Sequence, residues 1–318
     1  MSFSWDSLPK PFFALAPMEG ATDTVFRQFV ARLAPPDVFF TEFTNVQGLF
    51  SAGHDHVAHR LRYVEAERPI IAQVWGIDPE LFERAGEYAR EKGFDGLDIN
   101  MGCPDRVVVK KGMCSGLIKT PDLALELIHA AKKGAKTIPV SVKTRLGFQS
   151  IEVETWIRAL LTTRPAALTI HFRTVKEMSL VPAHWEQATR IVELRDEISP
   201  DTVLIGNGDV SSRKQGEELA TQYGLEGVMI GRGVFHNPYV FDGKKSLNDL
   251  SRTEKIQLLL DHTQLFHDTW GGQKNSAILK RFVKIYVNGF PDAGALRDEL
   301  MRTTSLEQLQ QRASQEVV

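Results

Sequence analysis

The sequence predicts an α/β protein, a (β/α)8 TIM barrel followed by a small all-helical C-terminal domain. Three observations carry this prediction. Short β-branched or aromatic runs recur through the first three quarters of the chain with a mean repeat of about 31 residues, the size of one strand-plus-helix unit. Each run is nearly all apolar rather than alternating, as strands buried on both faces of a parallel sheet require. After Phe241 the strand pattern stops and only helical periodicity continues.

The predicted strands are Phe12–Ala16, Val38–Thr41, Ile70–Val74, Gly96–Asn100, Pro139–Lys143, Ala167–His171, Val203–Asn207 and Gly227–Ile230. Helix signals fall between them. Asp78-Pro79 opens a helix over 80–92 that Gly93 closes. Thr120-Pro121 opens another over 122–133, with Leu123, Leu127, Ile128 and Ala131 at helical spacing and Gly134 as the predicted stop. A third runs from Ser211-Ser212 to Tyr223-Gly224. The turn after the first strand, Ala16-Pro17-Met18-Glu19-Gly20, lacks G-x-G-x-x-G, so a doubly wound open sheet is the lesser alternative. The polar stretch Asp242-Gly243-Lys244-Lys245-Ser246 reads as a linker, which places a barrel domain at 1–243 and a helical domain at 247–318. In the latter, helices are expected over 253–270, 275–288 and 293–303, with a last one beginning near Ser305.

Composition narrows the class. The chain has 318 residues, is 42% hydrophobic, and carries 38 Lys+Arg against 40 Asp+Glu. That is ordinary for a globular protein and argues against disorder. No run approaches the ~18–20 apolar residues of a membrane span. Met1–Lys10 carries Asp6 and no basic run before Phe12–Pro17, too short for a signal-peptide core. Two cysteines, Cys103 and Cys114, cannot build a disulfide framework or a four-ligand zinc site. The expectation is a soluble cytoplasmic protein with no membrane partner and no obligate protein partner. Balanced charge means that a nucleic-acid partner must be argued from a local patch. Lys274, Lys280, Arg281 and Lys284 form one candidate, with a solvated helix face as the alternative.

In such a barrel the working residues lie at the carboxyl ends of the strands and in the loops that follow. Polar residues gather there: Glu19, Gln73, Asn100, Lys143 with Arg145, His171 with Arg173, Asn207-Gly208-Asp209 and Gly231-Arg232-Gly233. The last two glycine-bearing turns suit a phosphate, because glycine lets backbone N–H groups approach an anion; plain tight turns are the alternative. A phosphate anchor implies a phosphorylated substrate or a nucleotide-type cofactor such as FMN. Cys103, beside Pro104 at the mouth, could act as nucleophile or general acid, or be simply buried. Packing is the expected role of Cys114. His54-Asp55-His56 with His59 reads as a loop facing solvent or substrate, and no metal is assigned to it.

In order along the chain, these residues resemble the tRNA-dihydrouridine synthase family. The matching segments include Ala16-Pro17-Met18-Glu19-Gly20, Thr41-Glu42-Phe43, Ala72-Gln73-Val74 and Asp98-Ile99-Asn100-Met101-Gly102-Cys103-Pro104. They continue through Ser141-Val142-Lys143-Thr144-Arg145, His171-Phe172-Arg173-Thr174, Asn207-Gly208-Asp209-Val210, Ile230-Gly231-Arg232-Gly233 and Asn237-Pro238-Tyr239. The resemblance implies a bacterial-type enzyme that reduces the C5=C6 bond of particular uridines in transfer RNA, with FMN as cofactor and NADPH as electron source. It assigns FMN contacts to Pro17, Met18, Glu19, Gln73, Lys143, His171, Asn207, Gly208, Asp209, Gly231 and Arg232. It makes Cys103 the proton donor to C5. Asn100, Lys143, His171 and Arg173 become contacts to the substrate base. A proton donor of this kind is expected to keep its thiol pKa at or above the usual ~8.5. The expected RNA surface is Arg106, Lys110 and Lys111 on the barrel loop with Lys274, Lys280, Arg281, Lys284 and Arg297 in the helical domain. A dihydroorotate-dehydrogenase-like enzyme acting on free pyrimidines and an inactive RNA-binding module are the alternatives. The chain departs from the family pattern at Val107-Val108-Val109, at Ala183-His184-Trp185, and at Gly112-Met113-Cys114-Ser115-Gly116, where the family loop ends in glycines.

Overall fold

The computed structural model describes residues 3–317. Contacts divide the chain into two compact units, one of residues up to Thr24 with Pro36–Gly231, the other of Val25–Pro35 with the residues from Arg232 onward.

The first unit is an eight-stranded parallel barrel. Its strands are β1 (Phe12–Leu15), β2 (Phe39–Phe40), β3 (Ile70–Trp75), β4 (Gly96–Met101), β5 (Val140–Arg145), β6 (Ala167–His171), β7 (Val203–Asn207) and β8 (Gly227–Ile230). They pair in the order β1-β8-β7-β6-β5-β4-β3-β2. Leu15 N–H donates to the Val38 carbonyl (3.2 Å) and Asp37 N–H to that of Phe13 (2.8 Å), closing the seam between β1 and β2. A two-residue strand, Thr44–Asn45, extends pairing to the end of β3. Strands β6, β7 and β8 have the expected bounds. β2 is shorter than expected, and β3, β4 and β5 run further toward the mouth, so Gln73 and Lys143 lie within strands rather than at their ends.

Alternate residues of each strand face inward. At the amino end these are Phe12, Ala14, Phe40, Ile71, Ala167, Val203, Ile205 and Met229, which pack with Trp5 into one apolar cluster. Two residues further along the interior turns polar: Gln73, Asp98 and Ser141, then Asn100, Lys143, His171 and Asn207. Register fixes these layers, pairing Gln73 with Asp98, Asp98 with Ser141, Asn100 with Lys143, and His171 with Asn207. The change from apolar to polar along one set of strands puts the chemistry at the carboxyl end.

Two outer helices, Pro79–Glu91 and Pro121–Ala135, show how locally coded the barrel is. Asp78 caps the first by accepting from Glu80 N–H at 3.0 Å, and Gly93 follows its end at φ +74°. The expected role of Gly134 as a helix stop is corrected: the helix runs through it to Ala135. A Cβ on Gly134 would lie 1.8 Å from the Glu83 carbonyl oxygen, and one on Gly86 2.5 Å from that of Ala131. Both glycines are there because the two helix backbones touch. Ser212 caps Arg213–Tyr223, and Gly224 ends it at φ +69° as expected.

The second unit is helical: Arg252–Trp270, Lys280–Tyr286, Ala293–Arg302 and Leu306–Ser314, joined by the apolar face of Thr24–Leu33. Phe26 stacks on Phe282 at 5.1 Å and Phe29 on His262 at 4.9 Å, and His262 Nδ1 lies 2.8 Å from the Tyr286 hydroxyl. Spacing suggests one helix over 275–288, but a 3-10 turn at Ser276–Leu279 precedes the α-helix. That helix ends at Tyr286, where the Asn288 side chain turns back to donate to the Lys284 and Ile285 carbonyls. Among the described residues no helix is long and apolar enough to cross a membrane.

Candidate active site at the carboxyl mouth of the barrel

A line of hydrogen bonds rises from the barrel core to the mouth. Ser141 Oγ donates to Asp98 Oδ1 at 2.6 Å, and Gln73 Nε2 donates to Asp98 Oδ2 at 2.7 Å. Asn100 Nδ2 donates to Gln73 Oε1 at 3.0 Å, and Asn100 Oδ1 accepts the backbone N–H groups of Gly102 and Cys103, each at 3.0 Å. Every member is polar, buried and satisfied, so the sulfur-bearing loop is fixed from below. Asp98 is fully buried. Burial pushes its carboxyl up to about 6, against the opposing pull of Ser141, Gln73 and Lys143.

Three basic residues stand around this line. Lys143 Nζ points to Asn207 Oδ1 at 3.4 Å; burial, with Arg145 nearby, brings its ammonium down to about 8. The Arg145 guanidinium is itself brought down to about 10 by burial. It joins two loops, donating to the Gly102 carbonyl at 2.8 Å and to the Thr174 and Met178 carbonyls at 3.1 and 2.8 Å. Arg173, 2% exposed, donates to Val181 O, pairs with Asp209 and lies 3.1 Å from His171 Nε2. Its donors are thus directed at the protein, and it sets His171 and Asp209 from behind.

The remaining predicted contacts line the rim. Met18 N–H donates to Thr22 Oγ1 (2.8 Å), and Glu19 pairs with Arg60 from the loop after β2 (2.7 Å). The buried Glu42, which sequence reading placed in the family pattern without a role, accepts from Gly20 N–H. Asn207 Nδ2 donates to the Met229 carbonyl at 2.8 Å. Gly208 sits at φ +136°, and a Cβ there would come within 2.7 Å of the Ala183 Cβ. Only glycine fits that turn. Gly231 ends the first unit, and Arg232 opens the second as the cap of a short helix. In the loop after β2, His54 Nδ1 lies 2.7 Å from the Leu49 carbonyl. Among the described residues no group of three His, Cys, Asp or Glu is arranged to hold a metal.

Cys103 is half-buried, and its carbonyl accepts from Ser115 Oγ at 2.8 Å. Its thiol is not held at the ordinary value expected from the sequence. A hydrogen bond with Cys114, outweighing burial, brings it down to about 7. Sequence reading missed Asp98 and Ser141 as site residues, although a carboxylate two residues before Asn100 shares its face of the strand. Cys114, expected to pack, is 1% exposed.

The profile of the dihydrouridine synthase (Dus) family matches residues 14–318. The chain belongs to the dihydrouridine synthase family. It is 48% identical over 305 residues to a probable tRNA-dihydrouridine synthase of Staphylococcus aureus strain COL, covering 95% of this chain and 92% of that one. It is 48% identical over 309 residues to the probable tRNA-dihydrouridine synthase 2 of Bacillus subtilis strain 168, covering 96% and 94%. Among solved structures, morphinone reductase in complex with tetrahydroNAD superposes with a TM-score of 0.53 at 13% identity, over 76% of this chain and 88% of that one. The old yellow enzyme from Trypanosoma cruzi superposes at 0.51 and 12%, over 72% and 86%. These last two likenesses concern the barrel fold. As a dihydrouridine synthase family member the chain is an oxidoreductase.

Proposed function

We propose that this protein carries out FMN-dependent reduction of specific uridines in tRNA to 5,6-dihydrouridine, with NADPH as reductant, in the cytoplasm. The observation that carries the reading is the buried line Ser141–Asp98–Gln73–Asn100, which ends on the backbone of Cys103 in the layer that also holds Lys143.

The donor set suits a flavin nucleotide. Thr169 Oγ1, paired in register with Lys143, is buried without a hydrogen-bond partner. Pro17, Met18, Glu19, Gln73, Lys143 and His171 would hold the ring end, and Asn207, Gly208, Asp209, Gly231 and Arg232 the phosphate end. When bound, FMN supplies the hydride that reaches uracil C6. The chain does the rest. Lys143 places a positive charge where negative charge gathers. Asn100, Lys143 and His171 hydrogen-bond the uracil carbonyls, and Arg173 acts by orienting His171. The Cys103 Sγ–H bond breaks as its proton passes to C5, and solvent restores it. A thiol brought down to about 7 is half protonated near neutrality. Turnover should therefore fall as pH rises through 7.

A uridine in folded RNA reaches the mouth only when turned out of its stack, at a cost of a few kcal/mol. Phosphate contacts offset this. On the barrel unit the exposed Arg106, Lys110 and Lys111 suit that role. On the helical unit Arg281 and Lys284 are exposed, whereas Lys280 Nζ caps the Met301 carbonyl (2.7 Å) and Arg297 that of Val287 (2.8 Å). Lys274 lies over the Trp270 ring at 4.9 Å.

The test is direct. Purified protein reconstituted with FMN and NADPH should form dihydrouridine in unmodified tRNA and leave free pyrimidines unchanged. Reduction of free pyrimidines alone would replace the proposal. Cys103→Ala should retain flavin and lose most turnover; near-normal turnover would unseat Cys103 as the acid.

A further inference from the structure

Trp185 closes the loop that follows β6. Its ring is 8% exposed and lies along the outer face of β7, where a Cβ on Gly206 would fall 2.5 Å from Trp185 Cζ3. Gly206 faces outward because Asn207, the next residue, faces in, its Oδ1 3.4 Å from Lys143 Nζ. From this position Trp185 Nε1 donates to the Gly208 carbonyl at 2.9 Å. The ring is itself held in place. Phe172 packs on it at 4.7 Å, Tyr223 stacks at 6.4 Å, and the His184 N–H donates to the Phe172 carbonyl at 2.7 Å.

That indole bond sets the direction of one peptide unit. A trans peptide is planar and carries its C=O and N–H on opposite edges. With the Gly208 carbonyl drawn outward, the Asp209 N–H lies on the edge turned toward the barrel interior. The Asp209 side chain secures the same turn. Its carboxylate accepts from Arg173 and from the Ala183 N–H at 3.0 Å, which directs its charge at the loop after β6. Asp209 keeps φ +55°, a strained region for a residue with a Cβ, and these two bonds supply the reason. The turn thus presents a backbone donor inward and holds its carboxylate aside, as an incoming anion requires.

We propose that Trp185 is a positioning residue for a phosphate monoester at this turn, the terminal phosphate of the flavin nucleotide: its indole N–H, by holding the Gly208 carbonyl outward, aims the Asp209 backbone N–H at the phosphate. This rests on the reading of the mouth as an FMN site, and it adds what lets that site tell FMN from riboflavin, which lacks the phosphate. Trp185 acts through the turn alone.

The experiment uses the full chain stripped of flavin, as wild type, Trp185→Phe, Gly206→Ala and Tyr223→Leu. Phenylalanine keeps a ring against Gly206 and deletes the N–H. Gly206→Ala reaches the same end by pushing the indole off the strand. Tyr223→Leu loosens the packing and leaves the N–H in place. Quenching of flavin fluorescence gives the affinities for FMN and for riboflavin, and filter binding gives that for tRNA. Wild type should prefer FMN. Trp185→Phe and Gly206→Ala should each weaken FMN binding about tenfold, the order of one hydrogen bond to a charged group, with riboflavin and tRNA affinities unchanged. Tyr223→Leu should keep the wild-type ratio of the two flavins. A ratio that stays the same in Trp185→Phe, whether both affinities fall or neither does, overturns the proposal; if tRNA affinity falls instead, the turn serves an RNA phosphate. An equal change of ratio in Tyr223→Leu reduces Trp185 to packing and overturns it as well. A wild type that binds both flavins alike overturns it and leaves the flavin reading standing, whereas a wild type that binds neither removes the FMN reading and this inference together.

Discussion

Asp98 presents two acceptor oxygens to the barrel interior, and that simple fact orients its neighbours. Gln73 must turn its Nε2 toward the carboxylate, which leaves Oε1 for Asn100 and Asn100 Oδ1 for the Cys103 backbone. Asp98→Asn keeps one acceptor for two donors, and with its Oδ1 turned to Ser141 it offers a donor where Gln73 donates. The amides would then invert in turn, and kcat should fall by about 10–100-fold with flavin retained, as misplacing a reacting group does. Stability gives a second readout. The folded-state value is raised, so the native protein holds this proton more tightly than the unfolded chain does. The contribution is fully present below about pH 4 and is lost as pH rises through 6. In urea titrations, wild type should lose about 2 kcal/mol relative to Asp98→Asn between pH 4 and 7; a constant difference would refute the burial argument. Lys143, Asn100 and His171 are legible in the sequence because a polar residue that ends an apolar run must be desolvated at a cost that a working site offsets, and Cys103 because it stands in the loop that follows. Asp98 is masked inside such a run. Ser115 reaches the Cys103 carbonyl only through the tertiary path of the loop, which spacing does not encode.

The helix Lys280–Tyr286 shows the same limit one level up. Lys280, Arg281 and Lys284 look alike as a basic cluster, yet Lys280 is spent on the end of Ala293–Arg302 while the other two point outward. Reversing charge at Arg281 and Lys284 should weaken tRNA binding and reduce the slope of log affinity against log salt by about 2. Lys280→Met should instead lower the unfolding midpoint and change the salt slope by about 1 or less. A salt slope that responds only to Lys280 would place the RNA contact elsewhere. Gly134 teaches a parallel lesson. A glycine after a helical run reads as a stop, and only the position of Glu83 on the adjacent helix reveals it as a point of backbone contact. Strand order and the caps at Asp78 and Ser212, by contrast, are written in local residues and could be read directly.

At the scale of the molecule, the eightfold strand repeat yields a closed barrel because each run is apolar enough to be buried on both faces. The partition at Gly231 is less legible. Val25, Phe26, Phe29 and Val30 carry no mark that their partners lie more than 200 residues onward, at His262, Phe282 and Tyr286. The other end of the barrel has its own consequence. Trp5, 3% exposed and set against Phe12 at 5.7 Å and Phe40 at 6.3 Å, stoppers the floor of the barrel. That end of the barrel is therefore no route to Lys143 and Cys103, and on the proposed function the carboxyl mouth is the doorway. On the proposed function, an electron donor and a bulky RNA that share that doorway queue, the first departing before the second is admitted. Double-reciprocal plots of initial rate against NADPH at several tRNA concentrations should then give parallel lines; intersecting lines would mean that both occupants fit the threshold at once.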